Sequence, residues 1–282
     1  MPTPLISVSD LADRLQDSAS NLIVCDCRFD LADPDAGARQ YAAGHLPGAV
    51  YVDLDKVLSH KAGPQQGRHP LPARDAFAAA MAALGVSAGT RVVCYDAGDG
   101  MFAARLWWML KWIGHAEVVV LDGGLAAWQQ AGGAISTDAA PQRPAGTLVA
   151  GETLVSTVDY DVVRQNLADG TWQVVDARSP DRFRGENETI DPVGGHIPGA
   201  LNRFFKDNLQ SDGRFKSPQT LRQEFTDILG SRDPATVISQ CGSGVTACHN
   251  LLAMEVAGLQ GAALYPGSWS QWCNVPDSPI AR

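Results

Sequence analysis

The segment TVISQCGSGVTACHNLLAMEVAG, residues 236–258, joins a short apolar run, a glycine-containing loop and a longer apolar stretch. The run at 237–239 is typical of a buried parallel strand. The stretch at 245–257 indicates a helix, and Gly258 is a common residue at a helix end. The segment therefore predicts a strand, a tight loop that begins at Cys241, and a helix.

A second part of the chain repeats this pattern. TRVVCYDAGDGMFAARLWWMLKWIG (90–114) has the same apolar run, loop and helical stretch. Three further blocks recur in the same order: NLIVCDCR (21–28) with TWQVVDAR (171–178), AGHLPGAVYVD (43–53) with GGHIPGALNRF (195–205), and DGGLAAW (122–128) with PGSWSQW (266–272). The spacing is nearly constant, at 150 residues from Asp26 to Asp176 and 144 from Trp128 to Trp272. The chain is therefore two copies of one domain of about 130 residues.

Strand and helix patterns alternate within each copy. In the first copy, strands are predicted at 22–25, 91–94 and 118–121, and helices at 75–84 and 102–112. This alternation predicts an α/β fold, in which each copy has a central, mostly parallel sheet flanked by helices. We place the N-terminal domain at 1–135 and the C-terminal domain at 152–282, with an Ala-, Pro- and Gly-rich linker between them.

Composition narrows the classes of function. The 282 residues are 45% hydrophobic and 19% charged, as in a globular protein that buries its own core. The net charge of -9 disfavours nucleic acid and anionic membrane surfaces as partners. Neither a membrane span nor a signal peptide is expected from the hydropathy pattern. The six cysteines of so long a chain favour free thiols and a cytoplasmic location.

The loop at Cys241 has the features of an anion-binding site. It follows a predicted strand, and ligands of parallel sheets bind beyond the carboxyl ends of strands. Gly242 and Gly244 allow backbone angles that other residues avoid, so the N–H groups up to Val245 and Thr246 can form an anion-binding nest. The helix that follows adds the positive end of its dipole. The loop should therefore favour a thiolate and hold an anionic sulfur carried on Cys241.

The first copy serves as an internal control, because Asp96 stands where the second copy has Cys241. One domain is therefore predicted to be active and the other to be supporting. A cysteine phosphatase needs an arginine six positions after its cysteine, and Ala247 stands there instead. A non-catalytic sulfur-binding module is a further alternative, which the intact second loop disfavours.

These motifs together resemble the two-domain rhodanese-type sulfurtransferases over almost the whole chain. The resemblance rests on the two GH-x-PGA turns, the VDAR strand end, YDAGDGMFAARLWWM, DGGLAAW, CGSGVTACHN and YPGSWSQW. It implies that the C-terminal copy carries a persulfide-forming cysteine, Cys241, and that the N-terminal copy is inactive. It also implies that neither a cofactor nor a metal is required.

The loop sequence separates two subfamilies. Thiosulfate sulfurtransferases usually have the loop sequence CRKGVT, and 3-mercaptopyruvate sulfurtransferases usually have CGSGVT. The loop of this chain, CGSGVT, resembles the second. The resemblance implies that Ser243 acts on the donor thiol with His69 as its base and Asp55 as the residue that orients the histidine. 3-Mercaptopyruvate is therefore the expected donor, and thiosulfate is the alternative.

One part of the resemblance is incomplete. The mercaptopyruvate enzymes bind the donor carboxylate with two arginines, and Arg182 matches the first. The second falls at 190–191, where this chain has no arginine, and Arg184 is a candidate substitute. The expected reaction is a ping-pong transfer through Cys241 to an acceptor thiol, such as that of thioredoxin, or to cyanide.

Overall fold

The computed structural model describes residues 3–17 and 20–282. These residues form two compact units. The first contains the described residues up to Ser59, with Pro72–Leu154 and Gln210–Phe215; the second contains His60–Leu71, Val155–Leu209 and Lys216–Arg282. The segment His60–Leu71 belongs to the first copy in sequence but packs with the second unit. The domain limits 1–135 and 152–282 remain a proposal.

The first unit is built on a five-stranded parallel sheet in the order β1-β5-β4-β2-β3. Its strands are β1 (Leu5–Ile6), β2 (Leu22–Asp26), β3 (Val50–Tyr51), β4 (Arg91–Tyr95) and β5 (Val118–Leu121). Its helices are α1 (Val8–Gln16), α2 (Ala36–Ala43), α3 (Arg74–Ala83), α4 (Met101–Trp112) and α5 (Gly124–Gln130).

The second unit repeats that topology, with a parallel sheet in the order β6-β10-β9-β7-β8. Its strands are β6 (Ser156–Thr157), β7 (Gln173–Asp176), β8 (Leu201–Asn202), β9 (Val237–Gln240) and β10 (Ala263–Leu264). Its helices are α6 (Tyr160–Asp169), α7 (Pro180–Phe183), α8 (Pro218–Leu229), α9 (Thr246–Val256) and α10 (Ser268–Trp272). Short 3₁₀ turns lie at Pro64–Gln66, Phe205–Asn208 and Pro234–Thr236.

The predicted α/β fold is confirmed, and the element bounds differ by only one or two residues. The interior strands β2 and β9 are buried at every position, which explains the apolar runs with which they begin. Strand β2 runs one residue further than predicted, to Asp26, and helix α4 begins one residue earlier, at Met101. The aligned strands and loops therefore present equivalent positions at the carboxyl edges of both sheets.

A buried ion pair explains the repeated D-x-R motif at the end of the second strand pattern. Arg178 Nη2 lies 2.6 Å from Asp176 Oδ2 and also donates to the carbonyl oxygen of Gly195 at 2.7 Å. Asp26 and Arg28 form the same pair in the first unit. The arginine thereby ties the strand end to the GH-x-PG turn, and removing one partner would leave an uncompensated buried charge.

Candidate active site

Cys241 lies directly after β9, at the carboxyl edge of the second sheet, and only 2% of its surface is exposed. The N–H of Gly244 donates to its Sγ atom at 3.1 Å. Gly244 has φ +76, and a Cβ added there would lie 2.6 Å from the carbonyl oxygen of Pro266. Glycine is therefore required at 244 both for the backbone angle and for the close approach.

The structure gives Gly242 a different role from the one that the sequence suggested. Its φ is not among the positive values, so its backbone angle is open to other residues. A Cβ added at Gly242 would instead lie 3.2 Å from Arg68 Nη2 and 3.7 Å from Arg182 Nη1. The missing side chain leaves room for two guanidinium groups beside the cysteine loop.

Val245 and Thr246 form the junction between this loop and α9. Val245 is the N-cap residue and Thr246 is the first residue of the helix. The positive end of the α9 dipole is therefore directed at the loop that carries Cys241.

Ser268 holds the backbone of Cys241 in place by a hydrogen bond. This residue was not identified from the sequence. The N–H of Cys241 donates to Ser268 Oγ at 3.1 Å, and that hydroxyl donates to the carbonyl oxygen of Tyr265 at 2.9 Å. Ser268 has φ 53, an unfavourable angle for a residue with a side chain. Its counterpart in the first copy is Gly124, with φ +56. The only sign of this role in the sequence was that a serine of the second copy aligns with a glycine of the first.

His69 and Ser243 meet beside the loop, as the resemblance implies. His69 Nδ1 lies 2.8 Å from Ser243 Oγ, and both residues are buried. The segment that carries His69 is held against α10. Arg68 N–H donates to Ser270 Oγ at 3.0 Å, and Gln271 Nε2 donates to the carbonyl oxygen of Gln65 at 2.9 Å.

Asp55 lies in the first unit, in a turn after β3, and is partly exposed. Its N–H donates to Asp53 Oδ1 at 2.9 Å, so Asp53 stabilises the turn. The role of Asp55 in orienting His69 stays a prediction of the resemblance.

The arginines near the loop are held by two buried carboxylates. Arg182 binds Glu188 with Nε at 3.1 Å and Nη2 at 2.9 Å, and it also contacts Asp191 at 3.3 Å. Arg68 Nη1 lies 2.7 Å from the other oxygen of Asp191. Arg184 instead forms an exposed ion pair with Glu186. The arginine that accompanies Arg182 at this site is therefore Arg68, which the sequence analysis did not single out.

The first unit preserves the anion nest around Asp96. Four backbone N–H groups donate to this carboxylate, from Gly98 and Gly100 to one oxygen and from Phe102 and Ala103 to the other. Burial, together with the nearby charge of Asp99, raises the pKa of Asp96 to about 6, although these N–H groups act to lower it. A carboxylate thus occupies the place of the Cys241 sulfur, which supports the view of the loop as an anion cradle.

Four of the other cysteines lie outside this loop; Cys25, Cys27 and Cys94 are buried, and Cys273 is partly buried. Burial raises the pKa of the Cys25 thiol to about 12 and that of Cys273 to about 11. Burial also holds the thiols of Cys27 and Cys94 well above their usual pKa. These four side chains are therefore protonated and poorly nucleophilic at neutral pH.

Neither a metal-binding cluster nor a membrane-spanning helix is found among the described residues. Over 3–17 and 20–282, no group of three or more His, Cys, Asp or Glu side chains is arranged to hold a metal ion. No helix in the described part of the chain has the length and apolar character needed to cross a membrane.

Comparisons with known proteins agree with this geometry. The family model described as "Rhodanese-like domain" matches residues 7–131 and again residues 159–275. A Pseudomonas aeruginosa protein named "Probable 3-mercaptopyruvate sulfurtransferase" is 45% identical over 279 residues, covering 98% of this chain and 97% of that protein. A mouse protein named "Thiosulfate sulfurtransferase" is 33% identical over 276 residues, covering 95% of this chain and 91% of that protein.

A solved structure gives the same result at the level of the fold. The 3-mercaptopyruvate sulfurtransferase from Leishmania major is similar with a TM-score of 0.86 at 30% identity, covering 99% of this chain and 76% of that chain. The predicted tandem domains and the predicted sulfurtransferase class are confirmed by these findings. The chain therefore belongs to the rhodanese-like family, as a sulfurtransferase with two rhodanese-like domains.

Proposed function

We propose that the protein transfers the sulfur of 3-mercaptopyruvate to an acceptor through a persulfide on Cys241. The Cys241 thiolate attacks the donor sulfur, an S–S bond forms, and the bond between that sulfur and the methylene carbon breaks. The carbon fragment leaves as the enolate of pyruvate and is protonated to pyruvate. The donor S–H supplies that proton, so atoms and charge balance without an added oxidant or reductant.

The hydrogen bond between Ser243 and His69 is the observation that carries this proposal. The reaction of a thiol donor moves one proton from sulfur to carbon, and Ser243 Oγ with His69 Nδ1, 2.8 Å away, forms a ready relay for it. The reaction of thiosulfate moves no proton, because sulfite leaves as an anion. A buried hydroxyl–imidazole pair beside the cysteine therefore favours a thiol donor.

The remaining site residues hold the persulfide or the donor and take no part in the bond changes. The N–H of Gly244 already donates to Cys241 Sγ, and the N–H groups of Gly242, Val245 and Thr246 belong to the same loop. They hold the terminal sulfur of the persulfide, as Gly100, the counterpart of Val245, holds the Asp96 carboxylate by its N–H at 2.9 Å. Arg182 binds the anionic end of the donor by charge-assisted hydrogen bonds.

The second half-reaction returns the enzyme to its thiolate. An acceptor thiolate, such as that of thioredoxin, or cyanide attacks the outer sulfur of the persulfide, and the Cys241 thiolate is the leaving group. Because Cys241 must stay reduced between turnovers, the cytoplasm is the proposed compartment.

Thiosulfate is the second candidate donor, and one observation favours it. Arg68 Nη2 lies 3.2 Å from the position of a Cβ on Gly242, so it brings positive charge to the place where CRKGVT loops carry an arginine. Two guanidinium groups at one loop can bind a sulfonate-like anion as well as a carboxylate. A comparison of kcat/KM on the two donors is therefore needed to decide which of them the enzyme prefers.

Initial rates with cyanide as acceptor test the proposal on both donors. We expect kcat/KM on 3-mercaptopyruvate to exceed that on thiosulfate by about tenfold or more, a difference of about 1.4 kcal/mol. The reverse preference would assign the enzyme to thiosulfate. Cys241→Ser should remove both activities, and full activity of this variant on either donor would refute the persulfide mechanism.

A further inference from the structure

Arg68 and Arg182 are joined by one buried carboxylate. Asp191 Oδ1 lies 2.7 Å from Arg68 Nη1 and Asp191 Oδ2 lies 3.3 Å from Arg182 Nη2, while only 2% of the Asp191 side chain is exposed. Two ion pairs to the same carboxylate fix the spacing of the two guanidinium groups. The carboxylate is itself held in place, because the Asp191 N–H donates to Glu188 Oε1 at 3.1 Å.

Each arginine keeps donors that the described residues do not use. Arg68 Nε is buried without a hydrogen-bond partner among these residues, and Nη2 makes no hydrogen bond to them either. Arg182 uses Nε and Nη2, so its Nη1 is free in the same sense. Arg68 Nη2 and Arg182 Nη1 both lie close to Gly242, the residue after the reactive cysteine. Two unused guanidinium edges therefore converge where the donor must bind.

The charges around these edges favour a monoanion. Three arginines are matched by three carboxylates in this cluster, which consists of Arg68, Arg178, Arg182, Asp176, Glu188 and Asp191. Although burial acts to raise it, the pKa of Glu188 is lowered by the hydrogen bonds from Arg182 and from two backbone N–H groups. With the cluster close to neutral, binding depends on directed N–H donors, and a planar carboxylate matches two guanidinium edges.

We propose that Arg68 is the second arginine that binds the donor carboxylate, acting with Arg182, and that Asp191 positions both. This inference rests on the proposed function. It also accounts for the departure at 190–191, because the chain has an acid at the position expected to hold the second arginine and receives the cation from Arg68 instead. Arg68 would thus determine specificity for a donor that carries a carboxylate.

The test compares 3-mercaptopyruvate with mercaptoacetone, which has the same ketone and thiol but a methyl group in place of the carboxylate. Arg68→Gln should lower kcat/KM on 3-mercaptopyruvate by about 10- to 100-fold, as expected for the loss of a hydrogen bond to a charged group. The rate on mercaptoacetone should change little. Arg68→Lys should recover part of the loss, because it keeps the charge but not the fork.

Arg184→Gln is the matched control, because Arg184 is a nearby arginine whose ion pair is exposed. Arg184→Gln should leave kcat/KM unchanged on both 3-mercaptopyruvate and mercaptoacetone, whereas Arg182→Gln should behave like Arg68→Gln. Thermal unfolding of each variant shows whether the fold is kept. Added guanidinium ion at millimolar concentration should partly restore Arg68→Ala on 3-mercaptopyruvate alone.

Four outcomes would overturn the assignment. Equal losses on 3-mercaptopyruvate and mercaptoacetone would make Arg68 a structural residue. An unchanged rate on 3-mercaptopyruvate would remove it from the site. A loss confined to thiosulfate would assign it to that donor instead. Failure of the wild-type protein to use 3-mercaptopyruvate at all would refute the proposed function and this assignment together, and only that result affects both.

Discussion

Ser243 Oγ lies 2.8 Å from His69 Nδ1, although 174 residues separate the two side chains along the chain. Both are almost fully buried, at 5% and 4% exposed. A hydrogen bond between buried side chains restrains the position of the hydroxyl group, since breaking it costs free energy unless a new partner is found. The pair therefore has the geometry that the proposed proton relay requires, two residues along the chain from Cys241.

Removing either member of this pair should slow the thiol donor selectively. Ser243→Ala and His69→Gln are each expected to lower kcat on 3-mercaptopyruvate by about 100-fold, the lower range for general acid–base catalysis. Turnover of thiosulfate should change little, because its reaction transfers no proton. Single-turnover release of pyruvate from 3-mercaptopyruvate, and of sulfite from thiosulfate, measures the first half-reaction for each donor.

A matched loss on both donors would contradict the relay and would indicate that the pair only shapes the loop. Asp55→Asn provides the graded comparison. If Asp55 orients His69, this variant should show a smaller selective loss of the same kind.

The two loop glycines should respond differently to alanine. Gly244→Ala forces a side chain into φ +76 and against the Pro266 carbonyl oxygen, so it should lower the free energy of unfolding by about 1–3 kcal/mol. Gly242→Ala adds a methyl group 3.2 Å from Arg68 Nη2 and should keep most of the stability while raising KM for 3-mercaptopyruvate. Urea denaturation and steady-state kinetics check both effects.

Equal stability of the two variants would show that the Gly244 conformation is not strained for alanine. An unchanged KM in Gly242→Ala would show that the displaced guanidinium groups do not bind the donor.

Two substitutions of Ser268 separate the effect of backbone strain on stability from the effect of its hydrogen bond to Cys241. Ser268→Ala removes the acceptor of the Cys241 N–H and keeps a side chain at φ 53, whereas Ser268→Gly removes the same acceptor and relieves the strain. Ser268→Ala should therefore be less stable than Ser268→Gly by about 1 kcal/mol. Chemical denaturation of the pair measures this difference, and the opposite order would contradict the argument.

The buried carboxyl of Asp96 predicts a specific pH dependence of stability. Its pKa is raised from an ordinary 3.8 to about 6, so the folded state binds more protons than the unfolded state between these values. The free energy of unfolding contributed by this group therefore falls as pH rises through about 4 to 6, and the penalty is complete above that range.

Asp96→Asn lacks this titration. The unfolding free energy of the wild type minus that of the variant should decrease from about pH 4 to about pH 7, as measured by urea denaturation at each pH. Asp99→Asn is the comparison, because loss of the Asp99 charge should move the window to lower pH. Parallel stability curves for wild type and Asp96→Asn would contradict the assignment.

Much of the fold was predictable because it is encoded locally. The apolar runs of β2, β4, β5 and β9 and the helical stretches of α4 and α9 were found within one or two residues. Each is a continuous, buried element, and the repeat supplies two independent readings of the same pattern. The position of Cys241 at the end of a buried strand was predictable for a similar reason, and its catalytic role stays a prediction.

The tandem α/β repeat could be read from the amino-acid sequence alone, and so could the proposals that the second copy is the active one and that Cys241 carries the persulfide. These properties depend on residues close together in the chain or on an alignment of the two copies. Only the tertiary structure revealed Arg68 beside Arg182, Asp191 between them and Ser268 beneath Cys241. The segment His60–Leu71 packs with the second unit against α10, and this placement depends on long-range packing that no local pattern encodes.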